Sequence, residues 1–247
     1  GSEDAPSAKW SWTTGPSPDP VSFEIVSRTG GGAAYYTDIS YGQANPIGVI
    51  HDILTSSWGK LGFSTSKIDE TSFEAASDLL IAEGHGYSRI VYEAVDAKEL
   101  IDEILAQIGG VLYDDPGTGK LAIKLIRQDY VAGDQPLIDE SVVLEPPALE
   151  IGTFAETYNE VRVVFTDRQR DYTSQTAIAQ DQANIAAQAK VRSIEFNYPG
   201  ITSATVAAQV AARELKAASI PLKKLRLSLD RSAYSLRPGG LFRFTWT

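Results

Sequence analysis

The clearest chemical suggestion in the sequence comes from Gly117-Thr118-Gly119-Lys120, because glycine-rich turns that end in lysine can bind phosphate. A phosphate-binding P-loop also has an upstream glycine at a fixed spacing, a serine or threonine after the lysine, and then a helix. Here Asp114 stands at the upstream position, Leu121 follows the lysine, and a strand pattern comes next. The segment is therefore predicted to be a hairpin turn and not a nucleotide site.

Two other glycine-containing segments lack the residues that their chemistry requires. Gly30-Gly31-Gly32 follows a strand pattern, but neither the last glycine of a dinucleotide fingerprint nor a helix comes after it. Around Ser88, Ile90 replaces the final glycine of a nucleophile elbow. Neither segment is predicted to bind a cofactor or to supply a nucleophile.

The two histidines do not form a metal or catalytic pattern. His51 borders the apolar side of a predicted helix, which favours a packed histidine, and His85 lies in a Gly-His-Gly connection, which favours a loop residue. The chain has no cysteine, so thiolate catalysis and thiolate metal sites are excluded. No catalytic, cofactor-binding or metal-binding residue is predicted, and the protein is not expected to be an enzyme.

Paired carboxylates are a weaker candidate for chemistry, since a glycosidase pair can be far apart in sequence. Turns and helix ends account for the most prominent ones, which are Asp114, Asp115, Glu83 and Glu99. Aromatic residues near the start of the chain would be able to stack on sugars, although packing is the favoured explanation. They are Trp10, Trp12, Tyr35, Tyr36 and Tyr41. A carbohydrate-binding or glycan-processing adhesin module therefore stays open as an alternative.

Composition indicates a globular protein with an acidic surface. The 247 residues include 43% hydrophobic and 22% charged side chains, and the net charge is −10. This charge argues against nucleic-acid binding, and the densest basic patch, Lys223-Lys224 with Arg226, suggests the solvated face of a strand. No apolar run is long enough to span a membrane. The polar start and the missing initiator methionine lead us to expect a piece of a longer protein.

Hydrophobic periodicity and capping residues predict an α+β fold. A proline-rich arm and a strand at residues 21–28 come first. The next predicted elements are helices beginning at Asn45, Asp69 and Asp96, a strand at 87–95, and a hairpin of strands 111–113 and 121–126. The second half predicts strands at 159–165, 192–198 and 225–229, helices at 177–190 and from Thr202 or Ser203 to 218, and a last strand from 241.

The order of several short segments resembles the putative phage tail protein family. The segments are Ala44-Asn45-Pro46, Asp52-Ile53-Leu54-Thr55 with Trp58-Gly59, Ile68-Asp69 with Phe73-Glu74-Ala75-Ala76, and Gly117-Thr118-Gly119-Lys120-Leu121. They continue as Leu125-Ile126-Arg127-Gln128-Asp129-Tyr130, Tyr158-Asn159-Glu160-Val161, Tyr198-Pro199-Gly200-Ile201, Ala211-Ala212-Arg213-Glu214-Leu215 and Leu236-Arg237-Pro238-Gly239-Gly240. That family includes the tip attachment protein of lambda-like phages and host-specificity tail proteins of prophages and gene transfer agents.

The resemblance implies a structural protein at the tip of a phage tail, made in the bacterial cytoplasm and carried in the virion. It implies a β-barrel-like hub domain with an α+β insertion, of which three copies form a ring that closes the tail tube. Residues 45–130 would be the insertion and residues 131–247 most of the hub domain, with residues 1–44 as an arm whose strand completes the hub sheet. The implied partners are further copies of the chain, other tail-tip and tail-tube proteins, and the host surface. The family has no catalytic residues or cofactors to carry over.

Overall fold

A computed structural model describes residues 43–55, 61–89 and 95–246. The predicted arm, the strand at 21–28, the glycines at 30–32 and the N-terminal aromatics all lie outside the described residues. So do Trp58, Gly59 and most of the strand predicted at 87–95. Among the described residues, no helix is long and apolar enough to cross a membrane.

The first half of the described chain packs three helices against a hairpin. The helices are α1 (Pro46–Thr55), α2 (Glu70–Glu83) and α3 (Ala97–Ile108), and the strands are β1 (Gly110–Asp115) and β2 (Lys120–Leu125). β1 and β2 pair antiparallel from Gly110 opposite Leu125 to Asp115 opposite Lys120. The predicted hairpin is confirmed, and its first strand is longer at both ends than the sequence pattern indicates.

Local capping residues set the ends of these helices. The Asn45 side chain accepts a hydrogen bond from the Ile47 N–H at 3.0 Å, and the Asp96 carboxylate accepts one from the Lys98 N–H at 2.8 Å. Gly84 and Gly109 end α2 and α3 in the left-handed conformation, with φ of 65° and 64°. The predicted positions of these helix ends are confirmed.

One hydrophobic core lies between the three helices and the hairpin. Ile68, just before α2, and Phe73, in its first turn, are both fully buried, as the hydrophobic staple predicted. Other buried side chains of this core include Ile47, Ile50, Ile53, Leu80, Ile104, Ile108 and Ile123.

The second half of the chain builds a three-stranded sheet with a helix on one face. The strands are β5 (Glu160–Asp167), β6 (Thr173–Gln180) and β7 (Ser193–Asn197), and the helix is α5 (Ala204–Ala218). β5 is central, antiparallel to β6 and parallel to β7. A second core lies between β5 and α5 and consists mainly of Val161, Val163, Phe165, Ile201, Val206 and Val210.

Two further sheets have only two strands each. β3 (Leu137–Ile138) pairs parallel to β9 (Arg243–Phe244), and β4 (Ala148–Ile151) pairs antiparallel to β8 (Lys223–Arg226). The predicted strand at 225–229 is thus only partly formed, because it ends at Arg226. Leu229 makes an isolated bridge to Val143. The described strands form an α+β arrangement without a closed barrel.

The helix predicted at residues 177–190 is wrong in its first third. β6 continues to Gln180, and α4 (Gln182–Gln188) is shorter than the alanine- and glutamine-rich composition indicated. Asp181 separates the two elements, and its carboxylate accepts a hydrogen bond from the Asn184 N–H at 3.0 Å. Pairing of Ala177 and Ala179 with β5 outweighs the helical preference of alanine.

The two cores meet where the loop after α2 approaches Gly200. The Ser88 N–H donates to the Gly200 carbonyl at 2.9 Å, and the Tyr87 ring lies directly against the glycine. A Cβ atom at Gly200 would overlap that ring and lie 2.8 Å from Gln107 Oε1. The junction therefore requires glycine for close approach, even though its backbone conformation is ordinary.

Gly200→Ala is expected to lower the free energy of unfolding by about 1–3 kcal/mol, because the methyl group forces the Tyr87 ring away. Gly133→Ala is the matched control: a Cβ atom there has no neighbour within 4 Å, so its change should stay within about 0.5 kcal/mol. Urea unfolding followed by tryptophan fluorescence measures both. Equal unfolding midpoints for the two variants would show that the close approach at Gly200 is unimportant.

Candidate interaction surface

The glycine-rich segment at residues 117–120 is a hairpin turn, as predicted. Asp115, at the end of β1, accepts hydrogen bonds from the Gly117 N–H at 3.2 Å and the Thr118 hydroxyl at 2.9 Å. It also pairs with Arg237 from the C-terminal part of the chain. The Thr118 and Gly117 hydrogen bonds hold the pKa of Asp115 below its usual value. This carboxylate organises the turn and ties it to the second half of the chain.

Both histidines are buried in the first core region. His51 lies on α1, with its ring edge-on to Phe73 at a centroid distance of 6.0 Å and Nε2 3.4 Å from a Glu70 carboxylate oxygen. His85 is the predicted loop residue, but its ring is buried, with Nε2 3.3 Å from the Gln107 side-chain nitrogen. Among the described residues, no group of three or more potential ligands could hold a metal ion.

The prominent carboxylates lie at the ends of different elements. Glu83 ends α2 and pairs with Arg127 through two hydrogen bonds of 2.6 and 2.8 Å. Burial acts to raise the pKa of Glu83, but the Arg127 hydrogen bond and charge together bring it below its usual value. Glu99 is exposed in the first turn of α3, and Asp114 is exposed on β1. Glu83 therefore has a local structural role, whereas Glu99 and Asp114 face solvent.

Arg213 joins a polar cluster at the junction of the two cores. Its guanidinium donates to the Gln107 carbonyl at 2.8 Å and lies beside Gly109. Burial lowers the pKa of His85 to about 4, and the nearby positive charge of Arg213 adds to this effect, with Glu83 opposing it. The arrangement keeps His85 neutral, so it serves packing and hydrogen bonding.

A second kind of surface is apolar and exposed. The β4–β8 pairing continues at both ends, since the Leu144 N–H donates to the Ser228 carbonyl at 2.8 Å and the Gly152 N–H donates to the Leu222 carbonyl at 3.0 Å. We call residues 142–152 together with residues 222–230 the apolar ribbon. All four β4 residues are exposed.

The two faces of the apolar ribbon differ in chemistry. Leu149 lies opposite Leu225 and is 55% exposed, and Ile151, on the same face opposite Lys223, is 65% exposed. On the other face, Glu150 lies opposite Lys224. Leu144, Phe154, Ile220 and Leu222 add further exposed apolar surface in or beside the ribbon. Exposed apolar patches are a feature of protein interaction sites.

The ribbon joins segments of opposite charge. Residues 128–161 contain eight acidic residues and no lysine or arginine, whereas residues 216–247 contain seven lysines and arginines and one aspartate. An open cleft of about 390 Å³ lies beside the ribbon, where Glu150, Glu156 and Lys224 contribute to its lining. Its polar groups carry both signs, which favours a protein partner over a simple anion or cation.

Residues 96–247, more than half of the chain, match the putative phage tail protein family. The chain belongs to this family. Family membership indicates a structural role in the tail of a phage. The matched residues include α3, the hairpin, the three-stranded sheet and the whole apolar ribbon.

Two crystal structures of prophage tail proteins are similar to parts of this chain. The 43 kDa tail protein of prophage MuSo2 from Shewanella oneidensis is 15% identical, with a TM-score of 0.31, over 53% of this chain and 35% of that protein. Tail protein gp18 from Listeria monocytogenes EGD-e is 16% identical, with a TM-score of 0.33, over 58% of this chain and 43% of that protein. This chain therefore spans less than half the length of either. No curated protein matches the chain.

The buried His85 makes stability depend on pH. In the folded protein it stays neutral down to about pH 4, whereas in the unfolded chain it takes up a proton below the ordinary histidine pKa of 6.5. The unfolded state therefore binds more protons in this window, and the free energy of unfolding falls as the pH is lowered from 6.5 to 4. The contribution of one such group approaches about 1.4 kcal/mol per pH unit.

His85→Gln is the control, since glutamine can still hydrogen-bond to Gln107 but cannot titrate. Its free energy of unfolding should fall less steeply than that of the wild type over this pH range. Parallel curves from urea unfolding at a series of pH values would contradict the role assigned to His85.

Proposed function

We propose that this chain is a baseplate hub protein of a phage or prophage-like tail tip, which closes the tail tube and connects it to host-attachment parts. The observation that carries the proposal is the apolar ribbon within a chain of the phage tail family. A tail-tip hub works by binding copies of itself and neighbouring tail proteins, and the ribbon is a surface suited to such contacts. In this proposal three copies form the hub ring, and the protein is not an enzyme.

The two cores support a division of the hub protein into two domains. Residues 45–130, with the helices and hairpin, would be the α+β insertion domain. Residues 131–247, with the three-stranded sheet and both two-stranded sheets, would be the β-rich hub domain. Closure of these sheets into a barrel-like hub would need strands from other segments or other copies, because two-stranded sheets bury little surface by themselves.

The apolar ribbon is the proposed contact between copies. Its exposed face carries leucine and isoleucine, and each fully buried side chain of this type contributes about 1.5–3 kcal/mol. The acidic and basic segments that form the ribbon offer charge pairing around the apolar contact. Both kinds of contact come from a single chain, so the interface needs no second protein.

The acidic composition fits the proposed path of DNA. A hub ring at the end of a tail tube has to let the genome pass without holding it. The net charge of −10 opposes binding to phosphates, which depends on lysine and arginine.

Leu149→Thr combined with Ile151→Thr is expected to weaken self-association at least about tenfold in the dissociation constant, since it removes two apolar contacts. Threonine keeps the preference for a strand. Light scattering after size-exclusion chromatography measures the mass, which for the wild type should reach three chains at high concentration. Ile178→Thr is the control, because Ile178 is also an exposed strand residue (57%) but lies on β6.

A wild-type mass of one chain at every concentration would contradict the ribbon as a contact between copies. So would equal masses for the double variant and the control.

Antibodies against this chain should label the tip of the tail on intact particles, because the proposed hub closes the tube there. Electron microscopy with gold-labelled antibodies is the measurement. Labelling along the tube or on the capsid would contradict the tail-tip position, whatever the oligomeric state.

A carbohydrate-binding or glycan-processing adhesin module is the alternative. The observation in its favour is that Phe154 and Tyr234 expose most of their rings. It requires saturable glycan binding that is lost in Phe154→Ala or Tyr234→Ala. A glycan array without binding, together with no hydrolysis of peptidoglycan, would eliminate it.

A further inference from the structure

One long strand edge has no neighbour among the described residues. β5 lies in the middle of the three-stranded sheet, so β6 and β7 each use one edge for β5. β6 is the longer of the two, with eight residues from Thr173 to Gln180. Counting only strands that the structure describes, its outer edge is the longer of the two outer edges of this sheet.

The register identifies the backbone groups on that edge. The Asp181 N–H donates to the Asn159 carbonyl at 2.9 Å, in line with the β5–β6 register, so odd-numbered β6 residues bond to β5. Even-numbered β5 residues direct their backbone groups to the other side, towards β7. Accordingly, the Val164 carbonyl accepts a hydrogen bond from the N–H of Tyr198, the residue after β7. The β6 residues that direct N–H and C=O away from β5 are therefore Ser174, Thr176, Ile178 and Gln180.

The β6 edge lacks the usual protection against pairing. Exposed edge strands are normally short or carry charges, proline or a bulge. β6 reads Thr-Ser-Gln-Thr-Ala-Ile-Ala-Gln, with no charged residue, proline or glycine, and it pairs with β5 without a break. Such an edge is suited to accept another strand.

We propose that residues Val21–Arg28 of the same chain add to this edge as a fourth strand. The segment Val-Ser-Phe-Glu-Ile-Val-Ser-Arg has eight residues, as β6 has, and its composition favours a strand. Val21, Phe23 and Ile25 alternate with polar Ser22 and Glu24.

The faces of the two strands are complementary. On β6, Ala177 and Ala179 face the second core and are only half-buried, while the alternate residues face solvent. Phe23 and Ile25 opposite Ala179 and Ala177 would place large apolar side chains beside small ones. A slip by one residue would move both onto the polar face, so this pairing fixes the register.

The path of the chain is compatible with antiparallel addition. The described chain begins at Gln43, whose side-chain amide donates to the Thr202 hydroxyl. The Thr202 carbonyl accepts from the Arg168 N–H at 3.2 Å, in the connection between β5 and β6. The chain therefore emerges near the start of β6, and residues 29–42 can span up to roughly 46 Å to reach it.

Hydrogen exchange of the full-length chain tests the proposal. In the paired state all eight β6 amides are protected, whereas an open edge leaves the four outward amides to exchange fast. In the proposed register Val26 bonds to β6, so Val26→Pro removes a donor and should release those four amides. Ala8→Pro is the matched control, placed outside the segment, and should leave protection unchanged. Protection of β5 amides verifies folding in each variant.

Fast exchange of the outward amides in the wild type would overturn the proposal. Slow exchange that survives Val26→Pro would also overturn it, since another strand would then cover the edge. Neither result depends on the mass in solution or on the position in the virion, so the tail-tip proposal is tested separately.

An engineered disulfide tests the register and the source of the strand. The chain has no cysteine, so Ile25→Cys with Ala177→Cys provides a single pair, and directly opposed strand residues lie within disulfide distance. A bridge within one chain should form on oxidation, whereas the face-mismatched pair Glu24→Cys with Ala177→Cys should form at least about tenfold more slowly. Bridging between chains on a non-reducing gel, or equal rates for both pairs, would overturn the proposal.

Discussion

The approach of the Tyr87 ring to Gly200 is the contact on which the joining of the two cores depends. The first core includes side chains of α2 and α3, and Tyr87, in the loop after α2, lies at the edge of the second core. Gly200 permits the contact because it has no side chain, and Arg213 reaches across from α5 to the end of α3. His85 and Gln107 are buried at this junction. The polar cluster that they form with Arg213 therefore results from the packing of the two cores.

Local signals in the sequence predicted the first half well. Asn45, Asp96 and the glycines after α2 and α3 act through neighbouring backbone groups, so their effect is visible within a few residues. Ala177–Gln180 was assigned wrongly, because its strand conformation comes from pairing with β5 residues 14 to 20 positions earlier in the chain. Pairing at that distance outweighs intrinsic preference and leaves little local trace.

The interaction surface was harder to predict from the sequence than the fold. The basic patch around Lys223 lies on a strand, as predicted, but Lys223 and Lys224 lie on its opposite faces. The acidic character of residues 128–161 is visible in the sequence. The exposure of Leu149 and Ile151 was not predicted, since an alternating apolar strand normally indicates a buried face. Similarly, His85 was placed in a loop, but its ring is buried beside Gln107 and near the charge of Arg213, which come from distant parts of the chain.

The opposite charges of the two segments in the ribbon have a geometric consequence for assembly. In a ring of identical subunits, each subunit presents two different patches, and the patch on one meets the complementary patch on the next. A two-fold dimer matches the charges as well, because the acidic patch of each copy meets the basic patch of the other. Opposite charges within one ribbon are therefore matched in closed pairs and in head-to-tail rings alike, and in a ring the number of subunits follows from the angle between the patches.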